Sequence, residues 1–161
     1  MQIRGTAHPP PPRNGSRLEP SDLTAAEICS TNLGGKPLLY EHDGQTRVGT
    51  CLASWEGNDG SLRIAASVDN PDTQRQIVSG KLRGLSLGTD LITNPSGDVL
   101  YRGQAELSVC EEGRRERTWC EPSGTAHARP LPRAAQLARP CARCASRIDT
   151  IDGRTVHRVA V

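Results

Sequence analysis

Phenylalanine is missing from this chain, and Trp and Tyr occur only twice each in its 161 residues. Any core must therefore be assembled from Leu, Val, Ile and Ala. A surplus of one charge is missing too. The formal net charge is +2, so nothing in the electrostatics asks for nucleic acid or an anionic membrane as a partner. No apolar run is long enough to cross a bilayer, and the opening residues lack the apolar centre of a secretory signal. The expectation is a soluble protein, inside a cell or an enclosed particle. The length suits one domain with a real core rather than two.

Six cysteines are present, but without a secretory signal a disulfide framework has no support. Cys29, Cys51 and Cys110 lie in apolar surroundings and read as small buried hydrophobes. Cys141-x-x-Cys144 is half of a zinc site, yet no second Cys/His pair stands at a finger or ribbon spacing, and His127 and His157 are poorly spaced for one. Neither a metal nor a cofactor is expected.

The patterned part of the chain is a succession of short strands with two helices. Gln2 to Ala7 reads as an opening strand, ended by His8 and the prolines Pro9 to Pro12. Thr24 with Glu27 has capping-box spacing and places a short helix at Ala25 to Ser30. Pro37 to Tyr40 is an apolar run leading into His42, with Asp43-Gly44 as the turn after it. Arg47 to Trp55 and Ser61 to Asp69 form a hairpin around Gly57-Asn58-Asp59-Gly60. Asn70 then Pro71 start a second helix that runs to Val78 and stops at Gly80. Strands follow around Ser86, over Val99 to Arg102, and over Ala105 to Cys110. Beyond Cys120 the composition shifts to Pro, Ala and Arg without periodicity, ending in a weak hairpin around Asp152-Gly153. The expected organisation is a domain over 1–120 and a tail over 121–161. The fold class is mainly β (α+β), a small closed β-barrel with a few short helices outside it.

Within this frame, Arg83-Gly84-Leu85-Ser86-Leu87-Gly88-Thr89-Asp90 stands out. As a strand it puts Leu85 and Leu87 on one face and Gly84, Ser86 and Gly88 on the other. Ser86 then sits on a face without bulk, where a substrate backbone could approach. A barrel strand that keeps small residues for a tight bend reads the same way. Three other features bear on the choice: His42 before a turn, Glu106 inside an apolar strand, and Arg114-Arg115 after Gly113. A serine hydroxyl needs an imidazole to take its proton, and the imidazole needs an acceptor to hold its tautomer. The oxyanion that forms needs a backbone N–H or a cation aimed at it. Taken singly, His42 also fits a turn histidine, Glu106 a solvated strand carboxylate, and the arginine pair plain surface.

The same residues carry a resemblance. Pro37-Leu38-Leu39-Tyr40-Glu41-His42 through Val48-Gly49 resembles the stretch around the first catalytic histidine of herpesvirus maturational proteases, the assemblins. Gly84-Leu85-Ser86-Leu87-Gly88 is similar to the nucleophile strand of assemblins and of tailed-phage prohead proteases. Leu107 to Arg115 resembles the assemblin segment in which Gly-Arg-Arg follows the third triad member, and Ile3 to Ala7 looks like the superfamily's first strand. The likeness spans about 2–119, in the order His, Ser, third member.

What the resemblance implies is a capsid maturation serine protease that cuts scaffold and capsid protein, and itself, inside an immature capsid. That capsid would lie in the host nucleus for a herpes-like virus and in the cytoplasm for a phage. On this mapping Ser86 is the nucleophile, His42 the general base and Glu106 the third member, at a position where assemblins carry histidine and phage relatives an acid. Arg114 through its N–H and Arg115 through its side chain would bind the oxyanion. Assemblins cut between Ala and Ser, so Ala145-Ser146 is the implied self-release bond. A homodimer is implied as well; nucleic acid and membrane are not. Two other readings stand beside it: a catalytically silent capsid- or scaffold-binding barrel, and an unrelated barrel module with a zinc-touched tail.

Overall fold

The computed structural model describes residues 1–11, 22–96 and 98–124, together with the backbone of 147–151 and 154–158. Strand β1 is Gln2–His8, helix α1 Ala25–Ser30, β2 Pro37–Tyr40, β3 Asp43–Glu56 and β4 Leu62–Val68. Helix α2 is Pro71–Val78, β5 Gly84–Thr93, β6 Val99–Cys110 and β7 Trp119–Pro122. Two further strands, β8 Arg147–Ile151 and β9 Arg154–Arg158, form the terminal hairpin. Ala145 and Ser146, like Cys141 and Cys144, lie outside the described residues.

Local chemistry explains both helices. In α1 the capping box is complete: the Glu27 N–H donates to Thr24 Oγ1 at 3.2 Å, and the Thr24 N–H donates to the Glu27 carboxylate at 2.7 Å. Satisfying those donors is worth about 1 kcal/mol. Arg102 Nη1 also donates to Glu27, at 2.8 Å, and so ties α1 to β6. Burial pushes the Glu27 carboxyl up, but the Thr24 and Arg102 hydrogen bonds outweigh it and leave the group below its usual value. In α2, Asn70 Oδ1 accepts from the Thr73 N–H at 2.9 Å, Pro71 stands where its missing N–H costs nothing, and Gly80 takes the left-handed turn after the last residues (φ +76°).

The first seven strands form one sheet in the order β5-β6-β2-β3-β4-β1-β7. Every neighbouring pair is antiparallel except β2–β6, where Leu38, Leu39 and Tyr40 run parallel to Leu107, Ser108 and Val109. The sheet curls until its ends approach. Gly5 lies where β1, β7 and β5 converge; a Cβ there would meet the Trp119 carbonyl and Leu85 Cδ1. The Cys120 N–H donates to the Arg83 carbonyl at 2.8 Å, just short of β5. No ladder joins β5 to β7, so the result is a curled half-barrel, mostly β with few helices, where a closed barrel was expected. The physical reason is that the approaching ends are fastened at a point rather than along a register.

Ile3, Leu38, Leu62, Ile64, Leu85 and Leu107 are fully buried in the interior, an aliphatic core as the absence of Phe requires. Each such side chain contributes about 1.5–3 kcal/mol. Cys51 and Cys110 are buried free thiols, but Cys29 is disulfide-bonded, contrary to its reading as a plain hydrophobe. Burial pushes the thiols of Cys51 and Cys120 to about 11 and that of Cys110 to about 12. None of the three is a thiolate nucleophile near neutral pH. Among the described residues, no helix is long and apolar enough to cross a membrane, and no three His, Cys, Asp or Glu side chains are grouped to hold a metal.

Candidate active site

The parallel β2–β6 pairing carries the end of β2 alongside Val109 and Ser108. Tyr40 pairs with Asp43, so the turn is Glu41-His42 itself, and β3 already begins at Asp43, where the sequence had placed the turn. Both turn residues have positive φ, 47° and 61°, the signature of a tight type I′ hairpin. For residues other than glycine this conformation costs on the order of 1–3 kcal/mol each, and it persists only where surrounding contacts enforce it. Here β6 enforces it. The Glu41 N–H donates to the Val109 carbonyl at 3.1 Å, the His42 N–H donates to Ser108 Oγ at 3.1 Å, and the Glu111 N–H donates to the Glu41 carboxylate at 2.7 Å.

This strained turn delivers the His42 ring to Glu106. His42 Nδ1 lies 2.5 Å from Glu106 Oε1, across 64 residues of sequence. A carboxylate only accepts, so Nδ1 carries the hydrogen and Nε2 keeps its lone pair in the neutral ring. Among the described residues no hydrogen bond engages Nε2. The imidazole is 42 % exposed and the Glu106 side chain 14 %, so the acid is screened while the ring still opens to solvent.

Ser86 is on the same face of the sheet. Along the β5–β6 ladder Gly84 opposes Cys110, Ser86 opposes Ser108 and Gly88 opposes Glu106. Paired residues of an antiparallel ladder project to one side, with Cβ atoms about 5 Å apart. Ser86 and Glu106 are therefore diagonal neighbours. The two glycines do not leave space for a substrate, as had been expected; the protein itself fills it. A Cβ at Gly84 would collide with the Gly113 amide, and one at Gly88 with the Glu106 carboxylate. One glycine lets the Glu112-Gly113 backbone settle on β5, and the other lets the acid lie across it. Ser86 stands between them. Its side-chain oxygen is buried and makes no hydrogen bond, an arrangement shared with Thr6. No hydrogen bond joins the Ser86 hydroxyl to the His42 ring.

The arginine pair follows directly on Gly113. Among the described residues no acceptor takes the Arg114 N–H, which leaves it able to bind an anion. The Arg115 Nε donates to Asp22 Oδ1 at 2.8 Å, and both side chains are mostly buried. The guanidinium expected at the oxyanion is therefore anchored to the start of the α1 segment. Asp22 and Ser108 were not singled out from the sequence. Ser108 shares the inward face with Glu106 two residues away, a signal that could have found it, whereas nothing local marks Asp22.

In fold the chain is assemblin-like: mostly β, with few helices around a curled half-barrel sheet. No family model matches the sequence, and no curated protein matches it. Among solved structures, the protease of Kaposi's sarcoma-associated herpesvirus in complex with a hexapeptide phosphonate inhibitor is 19% identical with a TM-score of 0.50, covering 74% of this chain and 63% of that one. This chain thus spans just under two thirds of that protease's length. The same virus's protease in complex with a dimer disruptor is 19% identical with a TM-score of 0.49, covering 74% of both chains. At these identities the likeness is one of fold.

Proposed function

We propose that this protein is a serine endopeptidase of viral capsid maturation, with its site in residues 1–120. The single observation that carries the reading is the 2.5 Å contact between His42 Nδ1 and Glu106 Oε1 on the face that bears Ser86. The likeness of fold to a herpesvirus protease supports the substrate class, scaffold and capsid protein inside an immature capsid.

In this reading Ser86 Oγ attacks the scissile carbonyl while His42 Nε2 takes its proton. Glu106 holds the tautomer and stabilises the imidazolium. The Arg114 N–H receives the developing oxyanion, beside the positive charge that Asp22 keeps in place on Arg115. His42 then returns the proton to the leaving amine, and water repeats the sequence on the acyl-enzyme. Catalytic contacts commonly tighten only when substrate is bound, and the Ser86–His42 contact is assigned to that stage.

One observation favours a catalytically silent, scaffold-binding version of the fold: the Ser86 oxygen is buried and unpartnered. Incubating the protein with its scaffold, or with an Ala/Ser-containing peptide library, separates the readings. Discrete cleavage lost in Ser86→Ala, by a factor on the order of 10⁴ or more, supports the peptidase. Binding without cleavage supports the silent form. The Ala145–Ser146 bond and a homodimer belong to the same proposal and are read from the product masses and from sedimentation.

A further inference from the structure

We propose that Ser108 is a positioning residue that sets the histidine and the acid of the site with one hydroxyl. Ser108 is completely buried on β6, directly across the ladder from Ser86. Its Oγ donates to Glu106 Oε2 at 2.8 Å and accepts from the His42 N–H at 3.1 Å. A hydroxyl has one hydrogen to give. Given to Oε2, that hydrogen fixes the rotation of the Glu106 carboxylate and leaves Oε1 for His42 Nδ1. The lone pair that accepts from His42 acts on the other partner, because it satisfies the amide of a left-handed residue (φ 61°) that β6 must hold in place. The other fasteners of this turn, Glu41 N–H to Val109 and Glu111 N–H to the Glu41 carboxylate, hold Glu41. Among the described residues, only Ser108 hydrogen-bonds to both His42 and Glu106. Replacing it removes the register between base and acid in a single step, without touching substrate.

For turnover this inference rests on the peptidase reading; for the state of the imidazole it does not, and the test uses both. Long-range ¹H–¹⁵N correlation on ¹⁵N-histidine-labelled protein reports which ring nitrogen of His42 carries the hydrogen. Wild type is expected to hold it on Nδ1. Ser108→Ala, and the nearly isosteric Ser108→Cys if the alanine variant folds poorly, are expected to move it toward a mixture with Nε2. Alongside, kcat should fall by about 10- to 100-fold with KM within about twofold, as for other groups that orient a reacting one. Ser108→Thr, which restores the hydroxyl, should recover the Nδ1 form. Retention of the Nδ1 form in a folded Ser108→Ala or Ser108→Cys protein overturns the proposal, as does a shifted tautomer with unchanged kcat. A wild type that cleaves nothing sinks the peptidase reading instead, and the tautomer comparison still decides the role of Ser108.

Discussion

The two histidines of the described sheet are a comparison made by the molecule itself. His8, at the end of β1, is 2% exposed and has both ring nitrogens occupied: Nδ1 meets the Pro9 carbonyl at 2.6 Å and Nε2 accepts from the Leu23 N–H at 3.1 Å. His42, on a strained turn, is 42% exposed and has Nδ1 on a carboxylate at 2.5 Å. Each lies near an acid, but Asp22 is 3.8 Å from His8 and accepts from Arg115 Nε at 2.8 Å. The lesson is that a nearby carboxylate does not make a base. What does so is an acid that takes one nitrogen while the other is left for a proton. His8 fills a structural position, and in the proposed reading His42 is the general base.

The sharpest way to break the comparison is to make Glu106 behave like the more distant Asp22. Glu106→Gln keeps the shape but offers Nδ1 either an amide oxygen or a competing donor, and lowers the charge that stabilises an imidazolium. Turnover is expected to fall by about 10²–10⁴-fold, with thermal stability little changed; unchanged turnover would take the acid out of the relay. Gly88→Ala comes next. The added methyl meets the Glu106 carboxyl atoms, Oε1 included, and these sit at the end of a flexible side chain. The fold should lose no more than about 1 kcal/mol while kcat falls by about tenfold or more. A loss of stability with full activity in the remaining folded protein would show that the glycine serves packing alone.

The smallest effect belongs to His8. Burial, ahead of the nearby Arg115 charge, lowers its pKa, and the Pro9 hydrogen bond and the Asp22 and Glu27 charges offset this only in part. The unfolded chain titrates near the ordinary value of about 6.5. Between that value and the depressed native one, the unfolded state binds the extra proton, so stability present above about pH 6.5 is lost as the pH falls through this window. The urea-unfolding free energy of wild type should therefore drop as the pH falls below about 7, with a slope approaching about 1.4 kcal/mol per pH unit inside this window. His8→Gln should flatten that slope, and an equal slope in the variant would assign it elsewhere.

Much of the fold was legible because its signals are local. Thr24 with Glu27, Asn70 with Pro71, and Gly80 each mark a helix end by chemistry within a few residues, and all three stand where they were expected. The β3–β4 hairpin followed from its alternation of faces. The Glu41-His42 turn did not. Glu-His has none of the Asn or Gly preference of a type I′ turn, and its conformation is imposed by β6, more than sixty residues away. Barrel closure was over-read for a related reason: whether β5 and β7 share a register is a property of two distant edges. The site divides the same way. Parity along β5 put Ser86 on one face with Gly84 and Gly88, and parity along β6 put Glu106 on one face with Ser108 and Cys110, but it said only that the glycines are small, not that a loop and a carboxylate fill the space above them. Asp22 reaches Arg115 across 93 residues, and no periodicity encodes that.

The central claim, that Glu106, His42 and Ser86 act as one relay, is tested most directly by reaction with a fluorophosphonate followed by peptide mapping. Wild type is expected to carry the phosphonyl group on Ser86, with near-complete loss of the label in His42→Ala and retention in His8→Gln. A label on another residue, or one that persists on Ser86 without His42, would contradict it.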